Sequence, residues 1–298
     1  MTDPIPDPDR SPSLADLRAE IDRIDETMHR LLMERSEIID RLVAIKRTEV
    51  SRGTGEGSAF RPAREADMMR RLVERHRGLL PLDTVESIWR VIIATFTYIQ
   101  APYAVHADLA VGEPAMRDSA RFHFGFTVPF VPHMGARGVI DAVNASAGDL
   151  GLLPAAPAGL TDPWWTALEG DGAPKIIARL PFVERADHPA GLPVFVVSHP
   201  IKDAAVREVE VYGLHVSGWT AAAGRAIPAF AETVIAPDDL TDGAALLVSV
   251  PPGHQVAQVV AALSEAGAVV ARLSEVGSHA AIHRVATPPR RSEFRSVP

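Results

Sequence analysis

Residues Leu14 to Glu49 carry one continuous helical pattern, and a charge set inside that pattern constrains the chain more than any other feature. Apolar residues recur at Leu14, Leu17, Ile21, Ile24, Met28 and Leu31, in alternating steps of three and four. The next seam position is Arg35, and the apolar pattern resumes at Ile38, Leu42 and Ile45. Lys46 follows Arg35 by eleven residues. At about 100° per residue the two return to within roughly 20° of one another, so both point the same way about three turns apart. Arg18 lies about 100° round from Arg35, beside the seam and near the other end. A cation in a packing seam is costly unless something anionic meets it. The pattern alone leaves a paired core arginine, or one snorkelling to the surface, open beside a ligand-binding cation.

A helix of about 35 residues is on the order of 50 Å long. Ser13-Leu-Ala-Asp16 has the form of a capping box and opens it. Residues 52–58 (RGTGEGS) are glycine-rich and polar, a loop, with no Gly-Lys-Ser/Thr to make it a phosphate loop. Pro62 suits the first turn of a second helix, with Met68, Met69, Leu72 and Val73 on its apolar side and Gly78 and Pro81 beyond its end. Asp83 suits the cap of a third helix, in which Ile88, Ile92 and Phe96 follow at steps of four and Gln100 falls in the same stripe. Three helices of such unequal length close no core alone. The long seam needs another long helix, and an identical chain supplies it most simply, which predicts an intertwined homodimer.

After Pro102 the texture changes to α/β. Strands are expected near 107–111, 126–131, 149–153, 175–180 and 192–198, with helices near 114–124 and 136–145. Residues 155–163 read as a loop, and Trp164-Trp165 as an interface or core anchor. A strand at 206–219, a helical stretch at 221–230, and a strand, helix and strand at 244–250, 256–266 and 268–273 form a smaller unit. The predicted organisation is multidomain, α then α/β. It has a tail at 1–12, an all-α dimer domain at 13–103, an α/β domain at 104–200, a βαβ-type unit at 201–285 and a second polar tail at 286–298.

The net charge of −8 gives no bulk attraction to nucleic acid, although it leaves room for a local cationic pocket. With no cysteine in the chain, thiolate catalysis, disulfides and cysteine-based metal sites are impossible. The eleven histidines show no metal spacing, and His123 and His133 read as surface or packing residues. No run approaches 18 apolar residues and the start (MTDPIPDPDRSPS) is unlike a signal peptide, so the expected setting is cytoplasmic, without a membrane span.

Leu17-Arg18, Ile24-Asp25, Glu34-Arg35, Lys46, Pro62-Ala-Arg64-Glu65 and Gln100 together resemble a chorismate mutase of the all-α class over about residues 13–103. The resemblance implies a pericyclic rearrangement of chorismate to prephenate, with no cofactor, no metal and no covalent intermediate. It implies that Arg35 grips one substrate carboxylate and that Arg18 reaches into the partner subunit's site. Lys46 and Gln100 would donate to the ether oxygen, Glu65 would accept from the ring hydroxyl, and Arg64 would brace that corner. Guanidinium groups suit carboxylates because they bind them bidentately, and fixed donors stabilise the charge that grows on the ether oxygen. Arg61 and Phe96 depart from the family's pattern, at positions where an acidic residue and a small or hydroxyl residue are expected. An inactive mutase-like scaffold that binds or regulates another aromatic-pathway enzyme is the alternative.

The remainder resembles a shortened prephenate dehydratase followed by an ACT-like unit. Leu109-Ala-Val-Gly112 stands where the dehydratase begins, and 139–154 resembles the helix and strand that follow. The dehydratase's glycine-rich turn is replaced by Gly112-Glu-Pro-Ala-Met-Arg, and its Thr-Arg-Phe signature by Pro193-Val194-Phe195. Only about 40 residues separate Pro154 from Phe195, too few for a second lobe. Ser274-Glu-Val-Gly stands where the ACT family carries its phenylalanine-binding signature. The expectation is a non-catalytic appended domain.

Overall fold

A computed structural model describes residues 12–51, 60–110, 112–155, 163–200, 207–234 and 243–286. The expected tails, the glycine-rich loop at 52–58 and most of the loop at 155–163 lie outside the described residues. The chain divides into two compact units, 1–56 and 57–298.

Among the described residues the first unit holds one helix, α1 (Leu14–Ser51), 38 residues long. The box at its start is formed. The Ser13 main-chain N–H donates to Asp16 Oδ2 at 2.8 Å, and the Asp16 N–H donates back to Ser13 Oγ at 3.2 Å. The Ser13 hydroxyl, which donates to Asp16 Oδ2 at 2.7 Å, and the Ser13 main-chain N–H hold the Asp16 carboxyl below its usual range. A lone helix cannot cover its own seam: Ile21, Met28, Ile38 and Ile45 are 56%, 51%, 51% and 57% exposed.

The second unit opens with α2 (Pro62–Arg75) and α3 (Leu82–Gln100). Pro62 occupies the first turn as expected. Asp83 is not the cap of α3; the helix starts one residue earlier, capped by Pro81, and the carboxylate sits in the first turn against the helix dipole. Then follow β1 (Val105–Asp108), α4 (Glu113–Phe124), β2 (Phe130–His133), α5 (Ala136–Asn144) and β3 (Leu150–Pro154). A 3-10 turn (Trp164–Leu168) leads to β4 (Lys175–Leu180), β5 (Val183–Glu184) and β6 (Val194–Ser198). The last part is β7 (Val209–Ser217), α6 (Ala221–Ala226), β8 (Glu232–Val234), β9 (Ala244–Val250), α7 (Val256–Glu265), β10 (Val269–His279) and β11 (His283–Arg284).

Nine strands form one sheet in the order β2-β1-β3-β6-β4-β10-β7-β9-β8. β1 lies parallel to β2 and β3; β3, β6 and β4 are antiparallel, as are β10, β7, β9 and β8. β10 pairs with β4 in parallel through Gly277 and Ile176, so the segments on either side of residue 200 share a sheet. Gly277 has φ +149°, and a Cβ there would stand 2.1 Å from the Ile176 carbonyl oxygen. Only glycine lets the two backbones approach this closely. That junction carries β10 to His279, beyond the expected end near Leu273.

Two other strands are displaced from expectation. β1 begins at Val105, because His106 and Asp108, which interrupt the apolar pattern, lie within the strand and are both buried. β2 begins at Phe130, after the Gly125 turn (φ +67°) that ends α4. Pro132 lies inside β2, which the sheet tolerates because β2 is an edge.

Buried residues of α2, α3 and α4 (Met69, Leu72, Ile93, Met116) share one core with Leu150, Leu152, Ala178 and Val196 of the sheet. A second core sets α5 and the 3-10 turn against Leu153, Phe195 and Val197, with Trp165 1% exposed inside it. Burial on this scale removes about 1.5–3 kcal/mol of unfavourable hydration per large apolar side chain. α6 and α7 cover β7 and β9 in a third.

Candidate active site

α1 runs without a break through all three of its candidate residues. Arg35 and Lys46 are half-buried, lie on one face and stand ~16 Å apart along the axis. Arg18 is exposed near the N-terminal end. An anion with two charged groups suits cations spaced along such a face, because each guanidinium or ammonium meets a separate oxygen.

The other three candidates lie in the second unit. Arg64 and Glu65 are adjacent on α2, so they point about 100° apart: Arg64 is exposed, while Glu65 is 4% exposed. Glu65 Oε2 accepts from Arg90 Nη1 at 2.7 Å, and the Arg61 main-chain N–H also donates to the carboxylate. Burial pushes the Glu65 carboxyl above its usual range, with the Arg90 cation opposing. Gln100 is half-buried at the end of α3, and its Nε2 donates to the Phe96 carbonyl at 3.0 Å. Arg61, which departs from the resemblance, folds its Nη1 onto the Phe60 carbonyl at 3.0 Å.

Sequence reasoning did not single out Arg90. It is 1% exposed, its Nη2 donates to the His123 carbonyl at 3.1 Å, and its guanidinium carbon is 5.3 Å from the Phe182 ring centroid. One turn earlier on α3, Glu86 accepts from Arg185 Nη1 at 2.6 Å and lies 3.3 Å from His188 Nε2. His123 stacks near His188, with centroids 6.0 Å apart, and is fully buried. Burial and the adjacent Arg90 cation push its pKa far below the usual value, so it is neutral. The signal was present as Glu86 and Arg90 four residues apart. It was masked because Ile88, Ile92 and Phe96 make a second stripe, which is in fact the less buried side.

A second polar cluster crosses β1. His106 Nδ1 lies 2.9 Å from His133 Nε2, and His106 Nε2 lies 3.2 Å from Asp149 Oδ2. Asp149 Oδ1 accepts the Ala104 main-chain N–H at 2.7 Å, so the cluster also fixes the start of β1. Among the described residues no group of three histidine, aspartate or glutamate side chains is placed to hold a metal ion, and no helix is long and apolar enough to cross a membrane. Where the resemblance looks for the dehydratase's threonine and arginine, Pro193 precedes β6 and Val194, fully buried, begins it.

Residues 17–101 match the family model described as chorismate mutase type II. A bifunctional chorismate mutase/prephenate dehydratase of Aquifex aeolicus (strain VF5) is 29% identical over 145 residues, 47% of this chain and 38% of that protein. One from Pseudomonas aeruginosa is 29% identical over 139 residues, 46% of this chain and 37% of that protein. The match therefore spans well under half the length of these relatives. A solved structure described as a novel type of quorum quenching acylase (GqqA) superposes with a TM-score of 0.40 and 14% identity, over 60% of this chain and 95% of that one.

Proposed function

We propose that this chain is a chorismate mutase, an isomerase that rearranges chorismate to prephenate in aromatic amino acid biosynthesis. The observation that carries the proposal is the pair Arg35 and Lys46, on one face of an unbroken helix inside the region that matches the chorismate mutase type II family. The reaction is a single pericyclic step, so the protein's task is to hold the substrate folded and to stabilise the ether oxygen as its bond breaks. Arg35 grips one carboxylate. Lys46 and Gln100 donate to the ether oxygen, Glu65 accepts from the ring hydroxyl, and Arg64 braces that end. No proton needs to move and no cofactor enters.

The active species is an intertwined homodimer in the cytoplasm, in which Arg18 completes the partner's site. The exposed seam of α1 supports this, since a second copy buries both seams at once. The α/β part, divided at about residue 200 into a dehydratase-like segment and an ACT-like one, has no catalytic role of its own. The test is loss of chorismate and gain of prephenate with purified protein, with and without phenylalanine and tyrosine. Turnover above the uncatalysed rate is expected.

The engagement of Glu65 by Arg90, and the departures at Arg61 and Phe96, favour one alternative. In it the chain is an inactive mutase-like scaffold that binds or regulates another aromatic-pathway enzyme. A folded protein that leaves chorismate untouched would move the reading there.

A further inference from the structure

Glu65 is held before any ligand arrives. Its carboxylate has room for about four hydrogen bonds, and Arg90 Nη1 and the Arg61 main-chain N–H occupy only part of that capacity. Arg90 is in turn held by groups outside its own helix. The His123 carbonyl of α4 takes Nη2, and Phe182, between β4 and β5, lies against the guanidinium. Glu86, on α3 and the other buried carboxylate near Arg90, is engaged by Arg185 and His188, which leaves Glu65, on α2, as Arg90's partner. The remaining groups facing the pair are the Tyr103 hydroxyl, which follows α3, and the neutral His123 imidazole of α4. A buried carboxylate stripped of its cation takes up a proton, and a carboxylic acid is a poorer acceptor than a carboxylate.

We propose that Arg90 is a positioning residue of the mutase site, which fixes Glu65 in one orientation as a carboxylate so that its remaining acceptor sites meet the substrate's ring hydroxyl. This rests on the mutase reading above. It gives the sheet-bearing part of the chain a share in the chemistry, because α4 and Phe182 aim the guanidinium that aims Glu65. Arg90 itself touches no reacting atom in this account.

The experiment measures kcat/KM for chorismate against pH in the full-length wild type, Arg90→Gln, Arg90→Lys and Glu65→Gln. Arg90→Gln should move the acid limb to higher pH by about one unit or more, a tenfold loss on that limb that recovers as pH rises. Arg90→Lys keeps the charge but not the fork, so its acid limb should stay near the wild type's while kcat falls several-fold. In a Glu65→Gln background, Arg90→Gln should add no further pH dependence. A folded Arg90→Gln with an unchanged profile, or with a loss equal at every pH, would overturn the proposal. If Arg90→Gln does not fold, Arg90→Lys decides, and wild-type kcat in that variant overturns it. If the wild type itself leaves chorismate unchanged, the mutase reading fails. A carbon-13 titration of the Glu65 carboxyl in wild type and Arg90→Gln then still reads the pairing, and identical titrations in both would refute it.

Discussion

Acid should unfold this protein in part through one histidine. His279 closes β10, is 2% exposed, and donates its Nδ1–H to the Ala280 carbonyl at 2.8 Å. It borders a cavity of about 120 Å³ together with Arg179, Glu232 and Arg284. Burial, and the Arg179 cation, push its pKa down to about 4, while the Ala280 carbonyl and Glu232 oppose the shift. The unfolded chain takes up this proton near pH 6.5 and the folded chain only near 4, so between those values the unfolded state binds more protons. Stability contributed by the neutral imidazole is therefore complete above pH 6.5 and is lost as pH falls towards 4. For this residue alone the loss is roughly 2 kcal/mol at pH 5 and about 3 kcal/mol at pH 4, a large fraction of the stability of a small domain. Urea unfolding followed by circular dichroism at pH 7, 5 and 4 measures it, in wild type and His279→Gln. Glu232 is coupled to His279, and the other groups are common to both proteins, so the difference between the two pH dependences reports His279 together with its coupling to Glu232. Parallel pH dependences would refute the reasoning, as would an NMR titration of His279 with a midpoint near 6.5.

On the proposed reading, Arg35→Ala and Lys46→Ala should each remove most chorismate mutase activity while circular dichroism shows α1 intact, because losing one donor fixed against the substrate's charge costs about 2.7–4 kcal/mol. Near-normal kcat/KM in either would displace the assigned site. On the proposed dimer, mixing Arg18→Ala chains with Arg35→Ala chains should restore activity in verified heterodimers, since one of two shared sites would then be whole; no recovery would confine each site to one chain. Gly277→Ala should destabilise the fold by roughly 2–6 kcal/mol in denaturant titration, combining overpacking against β4 with a disfavoured φ. A change under about 1 kcal/mol would mean that the junction relaxes easily. Prephenate supplied at neutral pH should give no phenylpyruvate above the uncatalysed rate; turnover abolished by mutations between Ala104 and Pro200 would make the chain bifunctional.

What the sequence disclosed follows from the range over which each cause acts. The long helix, its Ser13–Asp16 box and the Pro62 start are local, and they stand where the pattern put them. So do β4 and β9, whose bounds are those read from alternation and flanking turns. The β1 start was not legible, since His106 and Asp108 look like interruptions until His133 and Asp149 are known to be beside them. Nor was the β10 junction, because the demand for glycine at 277 is made by a backbone 101 positions earlier in the chain, at Ile176. The deeper face of α3 was hidden by a competing apolar stripe, and with it Arg90, whose partners lie 25 and 33 residues away.

That face of α3 bears on how interchangeable the parts of such a chain are. Glu86 and Arg90 face a core that the sheet completes, with Arg185 meeting one and the His123 carbonyl and Phe182 bracing the other. Severing the chain near residue 103 would not free a ready-made module. It would leave Glu86 without its cation and open the core around Arg90, at a cost of about 3–5 kcal/mol for the broken buried pair alone. A viable fragment would first need an apolar residue at 86, while Arg90 keeps Glu65 as its partner. The helices before residue 103 and the sheet after it therefore depend on one another, and moving one without the other would carry an unpaired buried charge along with it.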